Sequence, residues 1–251
     1  LMSLDPSQTR ELQASWEQAV ASLGSDIETQ EFVTFIRHFW NSVNGATRER
    51  DLYRSLRVNV DTGEKAGAFV DALARASEPY AAMLDGAHDR WADANEVVPR
   101  AIETLLYFQL GQYRSLFLAA IEHFDDTEVE RLGEALVCWS FRGLVVGGIG
   151  GGTTERAYAQ AAMNVRNRKL MTTSDVFSQL RPNIPADEDF RNAFERASVP
   201  RSRLAHYVLR SLNRHLDSNS HPALEAFPTD RVAPTSTSLL PARASTVEWP
   251  G

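Results

Sequence analysis

The 251-residue sequence has almost no cysteine, no long apolar run and no sustained strand pattern. Its one thiol, Cys138, has no partner for an internal disulfide. That excludes a disulfide-stapled scaffold and points to a reducing, cytoplasmic compartment. No stretch of about 18 apolar residues occurs, so no transmembrane helix and no membrane partner are expected. The N-terminus is neither basic nor followed by an apolar core segment, as a signal peptide would be. With 14 glycines and 11 prolines the chain is neither collagen-like nor low-complexity throughout. No period-two alternation of apolar and polar residues persists, and no repeat at a solenoid period is visible.

What is present is globular material: 43% apolar, 24% charged, with a net charge of −7. Apolar residues recur at helical spacing. Asp5-Pro6 reads as a cap followed by proline at the first helical position, ahead of Leu12, Trp16, Ala19, Val20 and Leu23, with a stop at Gly24. Phe32, Phe35, Ile36, Phe39, Trp40 and Val43 form a second stripe ending near Gly45. A short polar helix fits Arg48 to Leu56, and another helix is marked by Phe69, Leu73, Ala76, Tyr80 and Met83. Pro99 opens a long run to Phe124, which Gly111 is expected to break because glycine costs about 1 kcal/mol against alanine there. Asp126 or Thr127 is the expected cap of the next helix, with Leu132, Leu136 and Trp139 facing inward. Helices near 154–168, 173–180, 187–197 and 201–216 follow. The prediction is an all-α bundle of about ten helices over residues 1–216.

The composition then changes. Five of the eleven prolines lie beyond Leu216, among serine, threonine and alanine, so 217–251 reads as a disordered linker or tail. The sequence starts at Leu1, with Met2 behind it, and ends Glu248-Trp249-Pro250-Gly251, which reads as a piece of a longer chain.

Gly147-Gly148-Ile149-Gly150-Gly151-Gly152 follows the apolar triplet Leu144-Val145-Val146 and precedes a helix. Strand, glycine loop and helix is how phosphate sites are built. Here the dinucleotide pattern meets Thr153 where its third small residue belongs, no Walker lysine is present, and no second strand follows. A helix C-cap and a connection between two helices is the competing reading. The six histidines show no metal-ligand spacing, and Cys138 lacks a second thiol. His38 and His123 read as helix-surface residues, and Cys138, beside Trp139, as a packed small hydrophobe. No nucleophile elbow occurs, and acid pairs such as Asp125-Asp126 fall where caps are expected. No catalytic, metal-binding or cofactor-binding residue is assigned.

Charge concentrates late. Arg191, Arg196, Arg201, Arg203, Arg210 and Arg214 stand against Glu195 alone between 191 and 216. Arg203, Tyr207, Arg210 and Arg214 share one helical face, a pattern able to track a phosphate backbone. The competing readings are a solvated face, or arginines paired with acids such as Asp187 and Glu188.

Three stretches carry a family resemblance. The first is Trp16-Glu17 with the stripe from Glu31-Phe32 to Trp40. The second runs Trp139-Ser140-Phe141-Arg142-Gly143-Leu144 through the glycines to Glu155-Arg156-Ala157-Tyr158-Ala159. The third is Ile184-Pro185-Ala186-Asp187-Glu188-Asp189-Phe190-Arg191-Asn192-Ala193-Phe194, then Leu204-Ala205-His206-Tyr207-Val208-Leu209-Arg210-Ser211-Leu212. Together they resemble the central helical region of GmrSD-type modification-dependent restriction endonucleases over about residues 1 to 216. In that family the region lies between a nucleotide-using ParB-like domain and an HNH nuclease domain. The resemblance implies a role in defence against phage DNA, with nucleotide and divalent metal used by the flanking domains. It implies DNA and those domains as partners, and favours a connector role for the glycine stretch. The chain departs from the pattern at both ends. The Asp-Gly-Gln-Gln-Arg motif of the ParB-like domain does not occur, and Trp249 follows Thr246-Val247-Glu248 where the HNH segment carries histidine. No family catalytic residue carries over. Within this segment Arg203, Arg210 and Arg214 are the expected DNA contacts; the alternative is a helical interaction scaffold with no nucleic-acid role.

Overall fold

A computed structural model describes residues 6–24, 29–92, 95–147, 151–197 and 202–216. Among these lie eleven α-helices, two short 3-10 turns and no strand, an all-α architecture. The proposed Asp5 cap and the 217–251 tail lie outside the described residues. The helices are α1 (Pro6–Ser22), α2 (Thr29–Asn44), α3 (Glu49–Asn59), α4 (Gly63–Ala82), α5 (Val97–Tyr107), α6 (Arg114–His123), α7 (Asp126–Val146), α8 (Gly151–Arg166), α9 (Thr173–Leu180), α10 (Asp187–Glu195) and α11 (Ser202–Leu216). The chain divides into two compact units, 1–197 and 198–251. No helix among the described residues is long and apolar enough to cross a membrane.

In the first unit α6 is the central element. Its residues from Ser115 to Ile121 are all buried, as expected for a helix that is apolar nearly all round. It packs on α2, α4, α7 and α8, while α1 lies on α4, α5 and α10 lie on α7, and α9 bridges α7 and α8. Ala119 and Ala120 of α6 and Ala159, Ala161 and Ala162 of α8 are buried small residues on neighbouring helices. The largest fully buried side chains include Phe35, Leu73, Ile102, Phe117, Leu132 and Leu136. Each contributes about 1.5–3 kcal/mol relative to exposure.

Helix ends follow local chemistry. α4 starts at Gly63, six residues before the first apolar marker Phe69, because the Thr62 hydroxyl accepts from Lys65 N at 3.2 Å. Asp125 caps α7, not Asp126 or Thr127: its Oδ1 accepts from Glu128 N at 2.9 Å. Asp126 and Glu128 then fill the first turn, where negative charge meets the positive helix end. The long apolar run does split, into α5 and α6, with Gly111 in the gap; the left-handed residue there is Gln109 (φ 57°). Two surface-or-core expectations reverse. His38 is buried, standing three residues after Phe35 on the core side of α2. Cys138 is exposed, because consecutive helical positions point about 100° apart and Trp139 takes the inward one. His123 is on the surface as expected.

The apolar triplet Leu144–Val146 belongs to α7, so no strand leads into the glycines. Gly147 ends the helix at φ 67°, ψ 179°, a region essentially restricted to glycine, with its N–H bonded to Gly143 O at 3.0 Å. Gly147→Ala is therefore expected to cost about 1–3 kcal/mol. Gly152→Ala, in α8 with open space around its Cβ position, should be neutral or stabilise by up to about 1 kcal/mol. Urea unfolding of both variants checks this, and equal effects would remove Gly147 as the strained terminator.

Candidate functional site

The predicted DNA contacts fall on α11. Its sequence from Ser202 to Leu216 contains three arginines, two histidines and no acid. At 100° per residue Arg203, Tyr207, Arg210 and Arg214 occupy one sector, and Leu204, Val208 and Leu212 the opposite one. Arg203 is exposed and Arg210 half-buried; Arg214 lies on the helix, but its side chain is outside the described residues. Of the acids weighed as partners for the late arginines, Asp187 belongs elsewhere: Arg142 of α7 donates to it and also to Pro185 O at 2.7 Å. The bond from Arg142 holds the Asp187 carboxyl below its ordinary range.

The interior of the first unit holds a polar cluster of which the sequence reading singled out only His38, as a surface residue, and Tyr80 and Tyr113, as helix markers. On α2, Arg37 donates to Glu155 of α8. Beside it His38 Nδ1 lies 2.8 Å from the Tyr80 hydroxyl, and His38 Nε2 lies 3.5 Å from the Arg37 guanidinium. Arginine only donates, so the tautomer serving both contacts accepts at Nε2 and donates from Nδ1 to Tyr80. Burial, then the charges of Arg114 and Arg37, push the imidazole down to about 3. It is neutral at physiological pH. Arg114, at the start of α6, is largely buried near the hydroxyls of Tyr80 and Tyr113. No carboxylate among the described residues pairs with it. A third arginine, Arg166 of α8, donates to Glu122 of α6 and to Ser42 Oγ of α2 at 2.9 Å, with its guanidinium 5.4 Å from the Phe39 ring centre. Burial raises the Glu122 carboxyl despite Arg166.

Among the described residues, Arg37 Nε, Asn41 Nδ2, Arg114 Nε and Ser115 Oγ are buried without a hydrogen-bond partner, on α2 or where α6 begins, and the Tyr113 hydroxyl lies against Arg114. Tyr113 also lines a cavity of about 110 Å³, with Gln112, Ser140, Gly151, Thr154 and Tyr158. A wider groove of about 870 Å³ is lined by Lys65, Arg75, Arg90 and Arg166. Three of those cations are already paired, with Asp61, Glu78 and Glu122 respectively. Among the described residues no group of three His, Cys, Asp or Glu side chains is placed to hold a metal ion.

The polar interior makes stability depend on pH. An imidazole depressed in the fold stabilises above its unfolded value near 6.5, and that contribution is lost as pH falls toward 3. By pH 4 about 3 kcal/mol is gone. His38→Gln should flatten the stability profile between pH 6.5 and 4 by that order, read as the difference between variant and parent in denaturant titrations. Parallel profiles would mean that His38 titrates freely in the fold.

No protein-family model matches the chain, and no curated protein or solved structure matches it either, so its function is read from its own residues.

Proposed function

We propose that this chain is the helical scaffold of a GmrSD-like restriction protein directed against foreign DNA, with α11 as its DNA-contacting element. The observation that carries the reading is the segregation on α11: Arg203, Arg210 and Arg214 share one sector of an acid-free helix in a chain of net −7. Phosphate contacts need cations aligned on one face, and neutralising each phosphate releases condensed counterions. The three stretches that resemble the GmrSD central region support the family assignment, and the all-α bundle is compatible with it. In this reading cleavage belongs to an HNH-type domain outside the segment, where histidine activates water and a divalent ion steadies the leaving oxygen. Nucleotide use belongs to a ParB-like domain, and the working compartment is the cytoplasm.

One observation favours a second reading, a protein-interaction scaffold without nucleic acid. The apolar side of α11 leaves Leu209 and Leu212 at 62% and 50% exposure, a surface suited to a protein partner.

Titrating the chain against unrelated DNA duplexes over a range of salt separates the two. Salt-sensitive binding is expected, with Arg210→Ala weakening it by a similar factor for every sequence and lowering the salt slope by about one. No binding at low salt removes the DNA contact and leaves the interaction scaffold.

A further inference from the structure

Helix α3 packs chiefly on α2, with Leu52 buried and the Ser55 hydroxyl accepting from the Trp40 indole at 3.1 Å. Its other side faces solvent. Arg50, Arg54 and Arg57 follow the i, i+4, i+7 spacing that sets three residues on one helical face, and Tyr53 stands beside them. All four are exposed, Tyr53 at 75%. The acids of this helix lie to either side of the row: Glu49 accepts from Gln30 at 2.9 Å, and Asp51 approaches Arg50 at 3.7 Å. Neither Arg54 nor Arg57 has an ion pair with another described residue. The row ends at a groove. Asn59, the last residue of α3, and Val60, its C-cap, line the groove of about 870 Å³ together with Lys65, Arg75 and Phe69. That volume lies within the roughly 300–1,000 Å³ of sites that take small organic groups. Half-buried Phe69 packs against Phe39 and Trp40, so aromatic surface backs the groove. Lys65, Arg90 and Arg166 have carboxylate partners, whereas Arg75 is exposed and has no ion pair with a described residue.

We propose that α3 and this groove form one track for single-stranded nucleic acid. Arg50, Arg54 and Arg57 meet the phosphates of the strand, Tyr53 stacks on a base, and the groove takes a neighbouring base against Phe69, with Arg75 supplying charge. Such a ligand repeats negative charge along a line and carries flat apolar rings between the charges. A row of cations with an exposed aromatic beside it, running into an aromatic-backed basic groove, serves both at once. An acidic peptide would satisfy the arginines and make no use of Tyr53. A duplex keeps its bases stacked inside and has none to offer to Tyr53 or the groove. The track belongs to the first unit and does not rest on the α11 arginines.

Fluorescence anisotropy with the whole chain tests it, using labelled oligothymidylate and oligouridylate, a duplex of equal length, and polyglutamate as competitor. Single strands should bind more tightly than the duplex, and polyglutamate should compete poorly. Tighter binding of oligothymidylate or of oligouridylate names the strand as DNA or RNA and supports the track either way. Arg54→Gln and Arg57→Gln should each lower the salt slope by about 0.7, the value for one phosphate of a single strand. Tyr53→Ala should weaken binding about tenfold, and Tyr53→Phe should keep it, because stacking needs the ring and not the hydroxyl. Arg156→Gln, at an exposed position of α8 outside the groove, makes the same change in net charge and should leave the slope unchanged. These side chains are all exposed, so the variants should fold. No single-strand binding at low salt overturns the proposal, as does a duplex bound equally well. An equal loss in Arg156→Gln reduces the effect to net charge and overturns it too. Strand binding abolished in the combined Arg203→Gln, Arg210→Gln, Arg214→Gln variant would place the contact on α11 and remove the track. Loss of duplex binding alone in that variant leaves the track standing.

Discussion

A guanidinium cannot shed its proton to escape burial, so every arginine that this bundle takes inside must bring acceptors with it. Most of the architecture of the first unit answers that constraint. Arg37 ties α2 to α8 across 118 residues of sequence, Arg166 ties α8 to α6 and α2, and Arg142 ties α7 to the start of α10. Removing one partner of the part-buried Arg37–Glu155 or Arg166–Glu122 pair leaves the other charge stranded, whereas Asp187 is exposed to solvent. The Arg166–Glu122 pair thereby adds a directional contact between α8 and α6 to the apolar packing of α6. Leucine and alanine faces tolerate sliding and rotation, whereas a guanidinium–carboxylate contact between two helices admits one register.

The same constraint explains why the glycine stretch sits where it does. For Glu155 to meet Arg37 and Arg166 to meet Glu122, α8 has to leave the end of α7 and run back along α6 and α2. α7 must therefore stop sharply, and Gly147 supplies a backbone conformation closed to other residues. Its neighbours Gly151 and Gly152 belong to α8 already. Gly147 is thus a helix terminator, and Gly151 and Gly152 are a helix start.

The helices were legible in the sequence because of their apolar periodicity, and α1, α2 and α7 also because a glycine follows their ends. Gly111 marked the break between α5 and α6, and α9 and α10 lie close to the expected 173–180 and 187–197. Boundaries were less legible: Thr62 and Asp125 set their helices by capping, a choice between adjacent polar residues that periodicity does not rank. The interior polar cluster was missed for a different reason. In the sequence His38 read as a helix-surface residue beside an aromatic stripe and Tyr113 as one more apolar residue of the long run, and nothing marked Arg37 or Arg114. Their burial is decided by α4 and α8, which approach from 42 and 118 residues away. Only the position of His38, over Phe35 on the helix, hinted at it. The arginine sector of α11 was visible because all its members lie within fifteen consecutive residues.

Charge in this chain is partitioned by structural role. Arg37 and Arg166 of the bundle are held in part-buried pairs, and the three arginines of α11 stand in a helix that carries no acid of its own. Since α11 carries positive charge only, the rest of the chain is more acidic than the total of −7. A polyanion that contacts α11 is therefore attracted by its arginines and repelled by the net negative charge of the rest of the chain. Salt screens both, but contacts within a Debye length of roughly 8–10 Å outlast the distant repulsion. For the proposed DNA contact, the measured salt slope then reports the arginines of α11 minus an opposing contribution from the acidic body. It should fall short of the count of aligned cations.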